Sequence, residues 1–167
     1  MSTLSHKKKT PQHLKIAIIS ASSTRKVSED KSGIWIKKQA KKEGHDVVVH
    51  HAVPDDINEI QEMVQHITLE ISPDVILLTG GTGITRKDVT IEAVTPLFDK
   101  ELTAYGTLFA QLSFEEIDSA AILSRATAGI IKSCVLFCMP GSLKACKLAC
   151  NALIFPELGH IVKHIRE

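Results

Sequence analysis

The sequence predicts an α/β fold: one domain built on a doubly wound, mostly parallel sheet with helices on both faces. Three observations carry that expectation. Short apolar runs alternate with segments of helical period. Two of those runs end in glycine turns. No internal repeat or linker interrupts the alternation, and strands alternating with helices imply parallel pairing with both faces covered. The first strand is Leu14-Lys-Ile-Ala-Ile-Ile-Ser20, followed by a polar loop, 21–31. A helix is expected over 32–42, closed by Gly44 just past its end, where a positive φ is common. Residues 46–52 form the second strand, which Pro54 breaks. Ile57, Ile60, Val64, Ile67 and Ile71 recur at spacings of three and four, the clearest helical period in the chain. Asp56 and Glu59 resemble a capping box at its start, with Asp in the Ser/Thr role, and Pro73 ends it. Val75 to Leu78 reads as a strand buried on both faces. Helices are expected over 89–98, with Pro96 near the end, and over 102–111, while Phe114-Glu-Glu-Ile117 fits no single period. Residues 119–127 read as helical, 134–139 as a buried strand and 143–154 as a helix, and Pro156 opens a last helix toward Ile165.

Composition bounds the function. Hydrophobic residues make up 44% of 167, enough for one domain with a real core. Twenty basic and 19 acidic residues leave a net charge of +1, which argues against nucleic acid as the main partner. Residues 1–13 read as a flexible polar tail, with Lys7-Lys8-Lys9 solvated in it, and 14–167 as the domain. No apolar run reaches the ~18–20 residues that span a bilayer. The amino-terminal charges have no apolar segment behind them, so a secretory signal is not expected. The expectation is a cytoplasmic protein with no membrane partner. The cysteines form two i, i+4 pairs, Cys134/Cys138 and Cys146/Cys150. A zinc site is one reading; the preferred one is reduced thiols acting as small core hydrophobes. His160 and His164 form a helical pair with no third ligand in sight and are read as surface residues.

The segment after the third strand is the most informative. Gly80, Gly81, Thr82 and Gly83 are followed by Arg86, Lys87 and Asp88. Without Cβ atoms, backbone N–H groups come close to a ligand. Cations beside them suit phosphate, and a carboxylate suits a metal bound to that phosphate. The segment is neither a P-loop, which ends in GK[ST], nor a GxGxxG fingerprint. An ordinary strand-to-helix turn is the alternative. The second glycine turn, Met139-Pro-Gly-Ser142, follows another strand. Parallel strands place both turns on one sheet edge, where open α/β sheets bind ligands.

Taken together, Thr79-Gly-Gly-Thr-Gly-Ile-Thr-Arg-Lys-Asp-Val-Thr90, Ser113-Phe-Glu-Glu-Ile117, Ser124-Arg125 and Met139-Pro-Gly-Ser-Leu-Lys-Ala145 resemble the MoaB/MogA family of molybdenum cofactor biosynthesis proteins, also called molybdopterin adenylyltransferases. The resemblance runs from strand one to about Phe155, and Ser-Phe-Glu-Glu-Ile leans toward the MoaB branch. It implies a doubly wound α/β fold, trimeric or built of trimers. It implies that ATP, with Mg²⁺, and molybdopterin are the substrates: the pterin's phosphate attacks the α-phosphate of ATP, giving adenylylated molybdopterin and pyrophosphate. Two acids carry that chemistry in the family. They match Asp88 and, in Val53-Pro-Asp-Asp-Ile57, Asp55. Some MoaB-branch members lack an acid at the second place; this chain has it. The family's acidic or arginine-bearing signature right after strand one is not found. Ser20-Ala-Ser-Ser-Thr-Arg25 stands there, and Glu29-Asp-Lys-Ser-Gly33 matches a later family segment.

The expected site is therefore Asp55 and Asp88 as catalytic and Mg²⁺-holding acids, with Gly80, Gly81, Thr82, Gly83, Pro140 and Gly141 around the nucleotide. Ser22, Arg86, Glu92 and Ser142 are expected at the pterin or phosphate. Nucleotidyl transfer needs positioning and charge neutralisation more than covalent help. Helix capping is the plain alternative for Asp55, Asp88 and Ser142, and simple solvation for Arg86 and Lys87. Two other functional classes compete with the enzyme. One is a pterin-binding carrier of the same fold with little catalysis, which retention of both acids disfavours. The other is a flavodoxin-like flavin binder or regulator, disfavoured by 4% aromatic residues and no acid at the end of strand one.

Overall fold

A computed structural model describes residues 10–24 and 26–167. The lysine cluster at 7–9 and Arg25 lie outside the described residues. Six strands form one sheet: β1 (Lys15–Ala21), β2 (Asp46–Val53), β3 (Val75–Thr79), β4 (Lys100–Glu101), β5 (Thr127–Ile131) and β6 (Cys134–Met139). Their order is β2-β1-β3-β6-β5-β4. The first four of that order are parallel, with Ser20 beside Ala52 and Thr79, and Thr79 beside Met139. β5 and β4 add on antiparallel.

Alternation along β1 separates two cores. Ile16 and Ile18 face one side, packed with Ile36, Phe109, Phe137, Ala149 and Leu158. Ala17 and Ile19 face the other, with Ile60, Val64, Ile76 and Leu136. The helices are α1 (Lys31–Lys42), α2 (Ile57–His66), α3 (Thr90–Val94), α4 (Thr103–Ile117), α5 (Leu143–Ala149) and α6 (Leu158–Arg166). α2 and α5 each run on into a wider π turn, Ile67–Ile71 and Cys150–Ile154. α2 buries Ile60 and Val64, as its period predicts, and α1, α4, α5 and α6 cover the opposite face. All four cysteines are free and buried, and burial raises their thiol pKa values.

Three expectations change. Residues 119–127 are not a helix: a 3₁₀ segment, Asp118–Leu123, leads into β5. β4 and β5 are strands that the sequence pattern does not mark. α4 runs on through the segment that fitted no period, to Ile117. Near the chain start, His13 hydrogen-bonds Gly44 O at 2.6 Å and Asp46 Oδ2 at 2.7 Å, so the residues just before β1 already lie against the body. No single helix among the described residues is long and apolar enough to cross a membrane.

Candidate active site

Because β1, β2, β3 and β6 are parallel, the loops that follow them share one edge. They enclose a cleft of about 530 Å³, lined by Ser22, Ser23, Asp55, the first glycine turn, Lys87, Asp88 and the second glycine turn, with Leu123 and Ser124 at its rim. The strand order reverses between β1 and β3, and the cleft opens at that switch point.

The first turn requires glycine. Gly80 and Gly81 have φ of +95° and +63°. A Cβ on Gly80 would run into the Ala21 carbonyl oxygen, and one on Gly81 into Thr90 Oγ1. Thr90 Oγ1 donates to Gly80 O at 2.8 Å and Thr90 N to Gly81 O at 2.9 Å, so the start of α3 closes the turn. Gly80 N donates to Met139 O at 3.1 Å. A Cβ on Gly141 would lie 3.2 Å from Gly80 Cα. The two turns therefore touch. The second is fastened from beneath: Ser32 Oγ donates to Gly141 O at 2.8 Å and Thr79 Oγ1 to Pro140 O at 3.2 Å. Ser142 caps α5, accepting from Ala145 N at 3.2 Å.

Neither candidate acid is a helix cap. Asp56 caps α2, accepting from Asn58 N at 2.9 Å and Glu59 N at 3.1 Å. Asp55 instead turns to the β1 loop, where its Oδ2 accepts from Ser23 N and Ser23 Oγ, both at 2.8 Å. Its Oδ1 stands 3.1 Å from where a Cβ on Gly81 would be. Val89 stands at the N-cap of α3, which has no side-chain cap. Asp88 folds back within its own loop, and its Oδ2 accepts from Thr85 N at 2.9 Å and Thr85 Oγ1 at 2.7 Å. The Thr85 hydroxyl, against some burial and helped by the Thr85 and Gly83 N–H groups, lowers the Asp88 pKa. The carboxyl is thus fully charged at neutral pH.

The other expected residues divide. Ser22, Lys87 and Ser142 line the cleft with Gly80 to Gly83, Pro140 and Gly141. Arg86 is exposed and outside that lining. Glu92 is outside it too, and its carboxylate holds Arg125 through contacts of 2.5 Å and 3.2 Å.

Sequence reading assigned no role to Arg125, although it stands in one of the quoted motifs. Its Nε lies 3.0 Å from both Thr82 O and Gly83 O. A second unassigned group lies beneath the β1 loop. Asp30, buried, caps α1 by accepting from Gly33 N at 2.9 Å. Its Oδ2 also takes the Ser20 hydroxyl and lies 3.1 Å from His50 Nε2. Burial pushes the Asp30 carboxyl up, and the hydrogen bonds from His50, Gly33 N–H and Ser20 outweigh it, bringing the pKa down to about 2. Side-chain pairings 10 to 43 residues apart leave no local signal.

A doubly wound sheet with two touching glycine turns and two acids around a cleft at its carboxyl edge defines an α/β protein of the open-sheet class, whose ligand sites lie at that edge. Residues 15–160 match the family model described as a probable molybdopterin binding domain, and the chain belongs to the MoaB-type molybdenum cofactor biosynthesis family. It is 45% identical to molybdenum cofactor biosynthesis protein B of Bacillus subtilis (strain 168), over 100% of this chain and 99% of that protein. It is 42% identical to the molybdopterin adenylyltransferase of Pyrococcus furiosus, over 97% of each. A crystal structure of molybdenum cofactor biosynthesis protein B superposes with a TM-score of 0.91 at 45% identity, covering 95% of this chain and 99% of that one. The doubly wound fold expected from the sequence is therefore the fold of the family.

Proposed function

We propose that this protein adenylylates molybdopterin with MgATP in the cytoplasm. An oxygen of the pterin's phosphate attacks the α-phosphorus of ATP, the bond to the β-phosphate breaks, and pyrophosphate leaves. The observation that carries this reading is that Asp55, Asp88 and both glycine turns line one cleft. The Pyrococcus relative's name gives the reaction class.

The residues fit Mg²⁺, which takes oxygen donors, often one or two carboxylates, and keeps several waters. Asp55 and Asp88 are such donors, Asp55 tied through Oδ2 to Ser23 of the β1 loop and Asp88 through Oδ2 to Thr85 of its own loop. Asp55 and Asp88 would hold the ion, with water and the ligand's phosphate oxygens supplying the remaining donors. Bound there, the ion supplies neutralisation of the triphosphate's charge. Backbone N–H groups of the first turn orient the phosphates, Lys87 adds a positive charge at the cleft, and Ser22 and Ser142 offer hydroxyls from the facing loops. The test is direct. Purified protein mixed with molybdopterin and MgATP releases pyrophosphate, and does not when magnesium is chelated. No release, with molybdopterin still bound, would turn the reading to a carrier.

The oligomer proposed from the family, a trimer or dimer of trimers, gains a surface. α4 is apolar on both sides. Tyr105 and Phe109 point inward, while Leu108, Phe114 and Ile117 stand exposed, continued by Ile122 at 85% and Leu123 at 54% exposure. Several large apolar side chains exposed along one element and its continuation are candidates for a subunit contact. Sedimentation at micromolar concentration tests it, and a monomer would refute it.

A further inference from the structure

Arg125 lies behind the first glycine turn, outside the cleft lining. Its guanidinium takes two main-chain carbonyls of that turn and a third from Asp88 in the loop that follows. Nε reaches Thr82 O and Gly83 O at 3.0 Å each, and one terminal nitrogen reaches Asp88 O at 3.3 Å. The far side of the fork is taken by Glu92, at 2.5 Å and 3.2 Å. Arg125 comes from the segment just before β5 and Glu92 from α3, so the clamp ties two distant parts of the chain to the turn.

Peptide planarity gives the clamp its consequence. In a trans peptide the C=O and the following N–H point opposite ways. Holding Thr82 O and Gly83 O toward Arg125 therefore turns Gly83 N–H and Ile84 N–H away from it. On that opposite side the Asp88 carboxylate packs against Gly83, where an added Cβ would stand 2.8 Å from Oδ2, and accepts from Thr85 N at 2.9 Å. The guanidinium and the carboxylate thus hold the same short stretch from opposite sides.

We propose that Arg125, braced by Glu92, is the positioning residue of this site: it sets the peptide planes of the first glycine turn and, through them, the place of the Asp88 carboxylate. Arg125 touches no reacting atom in this reading, and its effect passes through Asp88. Lysine keeps the charge but loses the planar fork that reaches several carbonyls and a carboxylate at once. The proposal rests on the adenylylation reading for its kinetic arm only.

Arg125→Lys and Glu92→Gln are compared with wild type in two measurements. The first is hydrogen exchange. The main-chain amide of Thr85 exchanges at least about tenfold faster in Arg125→Lys, while sheet amides of β1 and β3 keep wild-type protection. Glu92→Gln shows the same pattern to a smaller degree. Unchanged protection at Thr85, or equal loss throughout the sheet, would overturn the clamp. The second is a kinetic cycle. Arg125→Lys lowers the rate of pyrophosphate release roughly tenfold or more, as misplacement of a catalytic group does. In an Asp88→Asn background it adds little, because both changes act on one carboxylate. Losses that multiply in full would show that Arg125 does not act through Asp88. If wild-type protein releases no pyrophosphate, the proposed reaction fails, and the exchange measurement still decides the clamp.

Discussion

The two glycine turns touch one another, yet they are held by different means. The first is closed from beneath by Thr90 at Gly80 and Gly81, but its outer half, Thr82 and Gly83, is held from outside: Arg125 with Glu92 on one side, Asp88 with Thr85 on the other, mostly charged groups that are half-buried or exposed. The second, Pro140 and Gly141, is held from beneath by neutral groups, the Ser32 hydroxyl, Thr79 Oγ1 and the Cys146 thiol. Exposed charged fastenings contribute little to global stability, whereas a buried hydrogen bond that loses one partner costs the desolvation of the group left behind. The two turns therefore divide the work. Changes at the first act on turnover, and changes beneath the second act on stability.

The largest expected effect breaks the first turn's chemistry while sparing its shape. Asp88→Asn keeps an acceptor for Thr85 and loses the charge. Turnover, read as pyrophosphate release, falls by about two to three orders of magnitude, since metal-mediated charge stabilisation is worth several kcal/mol and each ~1.4 kcal/mol is tenfold. The melting temperature stays near wild type. Asp55→Asn behaves alike, and the double variant loses less than the product of the two if both acids serve one ion. A large drop in melting temperature for Asp88→Asn would erase the distinction between the turns.

Acid titration sharpens the comparison at the buried side. Asp30 has a folded pKa of about 2 against an ordinary 3.8. A depressed carboxyl pKa stabilises the fold above the unfolded value, and that stability is lost as pH falls through the folded one. About 2 kcal/mol is thus present above pH ~4 and disappears toward pH ~2. Asp30→Asn is less stable than wild type at neutral pH, and the gap closes over that window in denaturant titrations at stepped pH. A gap that holds constant down to pH 2 would contradict the assignment.

Much of this was legible in the chain. Strand one is apolar from Ile16 to Ile19, strand three from Val75 to Leu78 and β6 from end to end, and α2 shows a clean period. Both turns carry their glycines in sequence, so the cleft's edge followed from parallel pairing alone. Two classes of feature were not legible. β5 contains Gly129 between alanine and isoleucine and is set by its pairing with β6 and by Phe98, whose ring fills the space beside Gly129. Tertiary pairing there overrides the helix-forming residues before it. The Arg125–Glu92 clamp and the Asp30–His50–Ser20 group join residues far apart in sequence, each of an ordinary type. Nothing local marks them.

Smaller effects follow. Ser32→Ala leaves Gly141 O without its buried donor and lowers stability by about 1–2 kcal/mol, roughly 2–8 °C in thermal melts at ~2–4 °C per kcal/mol, with turnover near wild type. Smallest of all is the pair of adjacent cations. Lys87→Ala, in the cleft, raises KM for MgATP a few-fold, and Arg86→Ala, outside it, leaves KM unchanged in steady-state kinetics. Equal effects would mean that the two cations do not differ in their access to the ligand.

The central claim is that one ligand lies across both turns. A crystal structure with AMP bound tests it most directly. The account predicts the nucleotide's phosphate at the backbone of Gly81, with Gly141 on the facing side and Asp55 and Asp88 beside it. A nucleotide seated at the opposite end of the sheet, near His13, His45 and Phe155, with both turns empty, would contradict it.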